Sequence, residues 1–138
     1  MEEVMSAYLK IFSSRLTLKK VKSCGAQNTV FDVFLRGDDE KIGEVNLTLK
    51  AERDGLGGII DVDVDEAFNG QGLAIEALKR VRDYAYDDLG LVKLYAKAPN
   101  KNLAAEYTLR RVGFSAEDKK GRNGLERVFV ATNPLFVV

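Results

Sequence analysis

Asp65-Glu66-Ala67-Phe68-Asn69-Gly70-Gln71-Gly72-Leu73-Ala74-Ile75-Glu76 is the stretch in which the chain changes character. Before it, Ile59-Ile60-Asp61-Val62-Asp63-Val64 runs with period two, as in a strand with two unlike faces. After it, Leu73, Ala77, Val81 and Ala85 recur at helical spacing, widened by Leu78 and Tyr84. The spacing predicts a central helix over residues 71–89, stopped at Gly90. Gly70 and Gly72 flank one residue at the junction. They let the backbone turn tightly and aim several N–H groups one way, and the helix adds its unpaired first-turn donors and positive dipole end. A phosphate or pyrophosphate suits such a junction. Two glycines also describe an ordinary turn, and taken alone they favour that plainer reading.

Working outward, the N-terminal half reads as strands. Arg15 to Val21, Val30 to Arg36 and Ile42 to Ala51 alternate or are rich in β-branched and aromatic residues. They are separated by turn clusters at Gly37-Asp38-Asp39 and at Asp54-Gly55 with Gly57-Gly58, which predicts an antiparallel meander. Beyond the central helix come a strand over Leu91 to Lys97, a shorter helix over 102–112 closed by Gly113, and a last strand over Arg127 to Ala131. No internal repeat or linker interrupts residues 1–138. The fold class is α+β, one domain with a mixed, mostly antiparallel sheet.

Composition narrows the chemistry. The chain has 138 residues, 21 basic and 21 acidic side chains, one cysteine and no histidine. Histidine-dependent triads and most zinc sites are thereby excluded. No metal is expected. A net charge of zero argues against nucleic acid as partner. No apolar run approaches the roughly 18 residues of a membrane span, no secretion signal stands at the N-terminus, and the thiol is unpaired, so a cytoplasmic protein is expected.

The junction lacks the Gly-Lys-Ser/Thr of a P-loop and the third glycine of a dinucleotide loop. Instead, Asn69-Gly70-Gln71-Gly72-Leu73-Ala74 resembles the Arg/Gln-x-x-Gly-x-Gly/Ala acyl-CoA loop of the GNAT N-acetyltransferase superfamily. Ile75-Glu76-Ala77-Leu78 and the passage Tyr84 to Tyr95 resemble its branch of ribosomal-protein N-terminal and spermidine acetyltransferases. Asn102-Leu103-Ala104-Ala105, with Leu109 and Val112-Gly113-Phe114, resembles that branch's Asn-x-x-Ser/Ala…Gly-Phe signature. The pieces cover Ile59 to Phe114 in the family's order.

The resemblance implies a single GNAT-like domain using acetyl-CoA. The strand before the loop would splay from its neighbour, and Val62, Asp63 and Val64 would pair with the pantetheine arm. Asn69, Gly70, Gln71, Gly72, Leu73, Ala74 and Ile75 would hold the pyrophosphate, and Asn102 would lie near the sulfur. Asn69 stands where the family usually has Arg or Gln. The tyrosine that protonates the leaving thiolate in many members is here Leu109, and a glutamate base used by some is Lys97. Tyr107 lies about 160° from Leu109 around a helix, so it cannot simply replace that tyrosine. The connection between the first two strands, Lys22 to Thr29, is too short for the pair of helices the family usually places there. A reduced N-terminal helical region follows, and with it an open acceptor site or one completed by a partner subunit.

Proton handling then falls to water or to acidic residues such as Asp63 and Glu44. Asp61, Asp63 and Asp65 share one strand face and could attract a cationic amine, although a solvated strand face accounts for them as well. A calcium loop does not fit, because Glu66 and Gly72 stand where glycine and a bidentate glutamate are required. Cys24 has no histidine to activate it. Lys119-Lys120-Gly121-Arg122 is a small basic loop cluster that reads as solvated, with an adenosine 3′-phosphate as an alternative partner. The expected activity is acetyl transfer to a primary amine, with a CoA-binding module that has lost catalysis as the alternative and a plain interaction domain as a third. A homodimer would cover the apolar end Leu135-Phe136-Val137-Val138.

Overall fold

Alternation builds one sheet. The computed structural model describes residues 9–21, 27–120 and 126–136. Its strands are β1 (Lys10–Phe12), β2 (Leu16–Val21), β3 (Asn28–Leu35), β4 (Lys41–Glu52), β5 (Gly55–Val64), β6 (Lys93–Pro99), β7 (Ser115–Lys120) and β8 (Glu126–Thr132). Two α-helices, α1 (Leu73–Asp87) and α2 (Leu103–Val112), complete the frame with short 3-10 turns at Glu66–Phe68 and Pro134–Phe136. The sheet order is β1-β2-β3-β4-β5-β6-β8-β7. Every neighbouring pair is antiparallel except β5 with β6, which α1 joins as a parallel crossover.

Every second residue of the sheet faces the helices and is buried: Leu16 and Leu18, Phe31 and Val33, Val45 and Leu47, then Ile60, Leu94, Ala96 and Phe129. Helix α1 meets them with Leu73, Ala77, Leu78, Val81 and Ala85, and α2 adds Leu109 and Val112. The Phe31 ring packs edge-on against Tyr84 at 5.4 Å between centroids. Each large side chain so buried stabilises the fold by about 1.5–3 kcal/mol. The alternating residues, among them Lys19, Asp32, Phe34, Glu44, Asn46, Tyr95 and Lys97, are only half-buried or exposed. That opposite face carries its own surface chemistry: Lys41 Nζ bridges Asp32 at 3.1 Å and Glu44 at 3.3 Å, and Lys50 lies 4.7 Å over the Tyr95 ring.

The meander, both helices and the mixed sheet match the expected α+β class. Boundaries differ instructively. Helix α1 starts at Leu73 because Gly72, its N-cap, is left-handed at φ 76°. Asn102 does not begin α2 but caps it, its Oδ1 accepting from Ala105 N–H at 3.1 Å. Gly57-Gly58, expected in a turn, lies inside β5, where a Cβ on Gly58 would come within 3.0 Å of Leu47 and 3.1 Å of Leu91. Those glycines serve close packing rather than a turn. Strands β1 and β7 were not expected. The first has three residues, and Ser-Ala-Glu-Asp-Lys-Lys of β7 has no β-branched residue to mark it. Six positions, 22–27, connect β2 to β3, and of these only Gln27 is described. Cys24, Gly121, Arg122, Val137 and Val138 lie outside the described residues, as do the side chains of Lys119 and Lys120, whereas Leu135 and Phe136 are exposed.

Candidate functional site

Two parallel strands part in the middle of the sheet. Strand β5 is bonded to β6 at only three pairs, Gly57 with Lys93, Gly58 with Leu94 and Ile59 with Tyr95. Past Ile59, β5 stays on β4 as far as the Val64–Gly43 pair, while β6 stays on β8 as far as Pro99 with Glu126. Gly43 is central to that divergence. A Cβ there would sit 2.3 Å from the Asp63 carbonyl oxygen, so only glycine lets β4 draw the end of β5 so close.

Strand geometry decides which backbone groups the parting exposes. Val92 N–H donates to Leu56 O on the β6 side, and Asp65 N–H donates to Ile42 O on the β4 side. Edges alternate along a strand, so Ile60, Val62 and Val64 turn their N–H and C=O toward the gap. Asp63 pairs instead with Glu44 on β4. Of the three consecutive residues expected to offer backbone groups to a ligand, two do so by this geometry. The nearby Val62 N–H favours the ionised Asp61 carboxylate, against the effect of burial.

The gap continues into two adjoining cavities. The first, about 370 Å³, lies between the parted strands and is lined by Ile60 to Val64, by Ala96, Lys97 and Pro99, and by Asn102, Thr108 and Leu109 from the region of α2. The second, about 560 Å³, is lined by Asn69, Gly70, Gly72, Leu73, Ala74 and Ile75, with Tyr107, Thr108 and Arg111 from α2. Val64, Asn69, Ala74, Ala104 and Thr108 border both, so they form one cleft. Gln71 does not line it. Within the second cavity, Gly70 and Gly72 have φ of 80° and 76°, and the glycine N-cap has no side chain to occupy the first-turn N–H groups of α1. Donors left without a side-chain cap in this way can meet an anion.

The turn between β1 and β2 holds the loop from behind. Arg15 Nη1 donates to the Gln71 carbonyl at 2.9 Å, and its Nε donates to Glu76 Oε1 at 2.8 Å. Arg15 N–H donates to Glu76 Oε2 at 2.8 Å, and the Ser13 hydroxyl donates to the same oxygen. Burial alone would push the Glu76 carboxyl up, but the hydrogen bonds from Ser13 and Arg15 outweigh it and hold it below the usual glutamate range.

Among the described residues lining the first cavity, the titratable groups are Asp61, Asp63 and Lys97; in the second they are Tyr107 and Arg111. Asp61 is raised, chiefly by partial burial and further by the charges of Asp63 and Glu44. Glu44 lies across the β4–β5 register from Asp63 but does not line the cleft, and it is paired to Lys41. Leu109 is buried within the first cavity, and Tyr107, 60% exposed, lies beside the second.

A family model described as "Acetyltransferase (GNAT) domain" matches residues 2–115. The chain belongs to the GNAT acetyltransferase family. It is 32% identical over 93 residues to the protein named "Probable N-acetyltransferase YjcK" of Bacillus subtilis (strain 168) and spans about half, 51%, of that relative's length. A GNAT-family acetyltransferase structure from Bacillus anthracis superposes with a TM-score of 0.74 at 17% identity, covering 91% of this chain and 99% of that one. RimL, a ribosomal L7/L12 alpha-N-protein acetyltransferase solved in complex with coenzyme A, gives 0.65 at 18% identity over 77% of this chain and 62% of its own. At such identities these structures speak for the GNAT fold.

Sequence reasoning missed Arg15, Arg111 and Gly43. Arg15 stands 56 residues before its partner Gln71, so no local pattern could join them. Arg111 carried a weak signal, since it repeats the spacing of Tyr107 by one helical turn.

Proposed function

We propose that the protein is an acetyl-CoA-dependent N-acetyltransferase that transfers the acetyl group directly to a primary amine. A protein N-terminus, a polyamine or a small amine falls within that class. One observation carries the reading: a single cleft joins an unpaired strand edge to a glycine-rich helix N-terminus. The second cavity suits a diphosphate, which Gly70, Gly72, Leu73, Ala74 and Ile75 would meet with backbone N–H groups. Asn69 contributes beside them, and Gln71 acts through its backbone. Arg111, the cation lining that cavity, would face a further phosphate. The edge groups of Val62 and Val64 would pair with the amide-bearing arm of the cosubstrate. Asn102 would offer that arm its NH₂ donors while its oxygen caps α2.

The chemistry asks little of side chains. The amine nitrogen attacks the thioester carbonyl carbon, the C–S bond breaks, and the nitrogen gives up a proton as the thiolate gains one. Edge N–H groups stabilise negative charge on the carbonyl oxygen, and the cleft supplies proximity. Asp61 and Asp63 line the cleft from the sheet face opposite the helices, so a cationic amine would approach from there while the cosubstrate lies along the helix side. Asp63 remains the direct candidate for proton relay. Glu44 would act only through Asp63, since it lies outside the lining.

A second reading, a CoA-binding module without turnover, is supported by Leu109 and Lys97 at the family's acid and base positions. The deciding experiment is thiol release from acetyl-CoA over a panel of amines that includes spermidine and peptides with free N-termini. Saturable release with one amine class is expected. Acetyl-CoA binding without release from any amine would favour the module, and absence of acetyl-CoA binding would contradict both.

A further inference from the structure

We propose that Arg15 is the positioning residue of the anion loop, fixing the Gln71–Gly72 peptide so that the Gly72 N–H faces the cleft. This rests on the acetyl-CoA reading above for its ligand, while the lock itself is a property of the free protein. Gly72 has no Cβ and sits at φ 76°, so it leaves the preceding peptide plane freer to turn than another residue would. That plane is trans, and in a trans peptide the C=O and the following N–H point in opposite directions. The Gln71 carbonyl is bound by Arg15 Nη1 at 2.9 Å. The Gly72 N–H is therefore directed away from Arg15. Were the plane to flip, a carbonyl oxygen would face the anion instead.

Arg15 is itself held in place. Its Nε and its backbone N–H both reach Glu76, each at 2.8 Å, and Ser13 donates to the same carboxylate. Arg80 Nε adds a second tie from α1 to this region, donating to Phe12 O at the end of β1 at 2.9 Å. The arrangement also settles a charge problem. Glu76 stands in the first turn of α1, close to where a diphosphate would lie, and unpaired it would repel that anion. Arg15 neutralises it. The pair is partly exposed, with side-chain exposures of 49% and 18%, so the consequence expected lies in loop geometry more than in global stability.

The test compares wild type, Arg15→Ala, Arg15→Lys and Glu76→Gln. In the free protein, the Gly72 amide of Arg15→Ala should shift in ¹⁵N spectra, with core amides such as Val45 unmoved. Calorimetry should show acetyl-CoA binding weakened about tenfold, as expected on losing one charged hydrogen bond. Binding of acetylpantetheine, which lacks the diphosphate, should be unchanged. Lysine should not restore affinity, because it cannot span Gln71 and Glu76 with a fork. Glu76→Gln should shift the Gly72 amide in the same direction, by less. An unmoved Gly72 amide in Arg15→Ala overturns the proposal. So does equal weakening for both ligands, or shifts spread through the core. Wild type that fails to bind acetyl-CoA would overturn the functional reading and the ligand half of this proposal, whereas a bound wild type with an unaffected Arg15→Ala overturns this proposal alone.

Discussion

Single residues set the sign of the electrostatics. The Glu76 carboxyl is held below the ordinary glutamate value of 4.5, burial opposing the shift and hydrogen bonds from Ser13 and Arg15 producing it. A group depressed in the folded state contributes stability in full above its unfolded value, and that contribution is lost as pH falls through the folded value. Wild type should therefore exceed Glu76→Gln in urea stability at pH 7, and the gap should close as pH drops below about 4. A gap independent of pH would show that the ionised carboxylate is not what matters. On the opposite face, Asp61→Asn and Asp63→Asn should each raise KM for a cationic amine about two- to fivefold, as for partly exposed charges. The rise should shrink at high salt, and an unchanged KM would remove these carboxylates from amine capture.

At the scale of elements, the parted strands are the structural cause of the cleft. Gly43→Ala places a methyl group 2.3 Å from the Asp63 carbonyl, so β4 and β5 must separate there. A loss of about 1–3 kcal/mol in urea melts is expected, together with weaker acetyl-CoA binding. Unchanged stability would show that the strands yield freely. Helix α2 offers a cleaner separation of roles. Asn102→Ala removes the cap at a cost of about 1 kcal/mol. Asn102→Asp keeps the capping oxygen but loses the NH₂ donors, so it should retain stability and still weaken cosubstrate binding. Wild-type binding in Asn102→Asp would mean that Asn102 acts on the ligand only through the helix. The elements themselves were legible, because Ile42 to Ala51 and Leu73 to Ala85 announce their periods in the side chains. The pairing of β5 was less so: which of its residues face the gap depends on bonds to Leu56 and Ile42, which no local pattern encodes.

For the whole molecule, the division of labour between sheet faces organises the account. The helix-covered face carries Phe31, Leu47, Ile60 and Phe129, and it was legible because burial selects apolar residues at period two. The opposite face is half-exposed and polar, with Glu44, Asp61, Asp63 and Lys97 near the mouth of the cleft. The proposed anion loop is marked in the sequence by Gly70 and Gly72, whereas its tie to Arg15 arrives only through the fold. A ¹⁵N-edited titration with acetyl-CoA tests the proposed cofactor cleft most directly. Shifts concentrated in the amides of Ile60, Val62, Val64 and Gly70 to Ile75 are the result predicted; no shifts, or shifts confined to other surfaces, would contradict it.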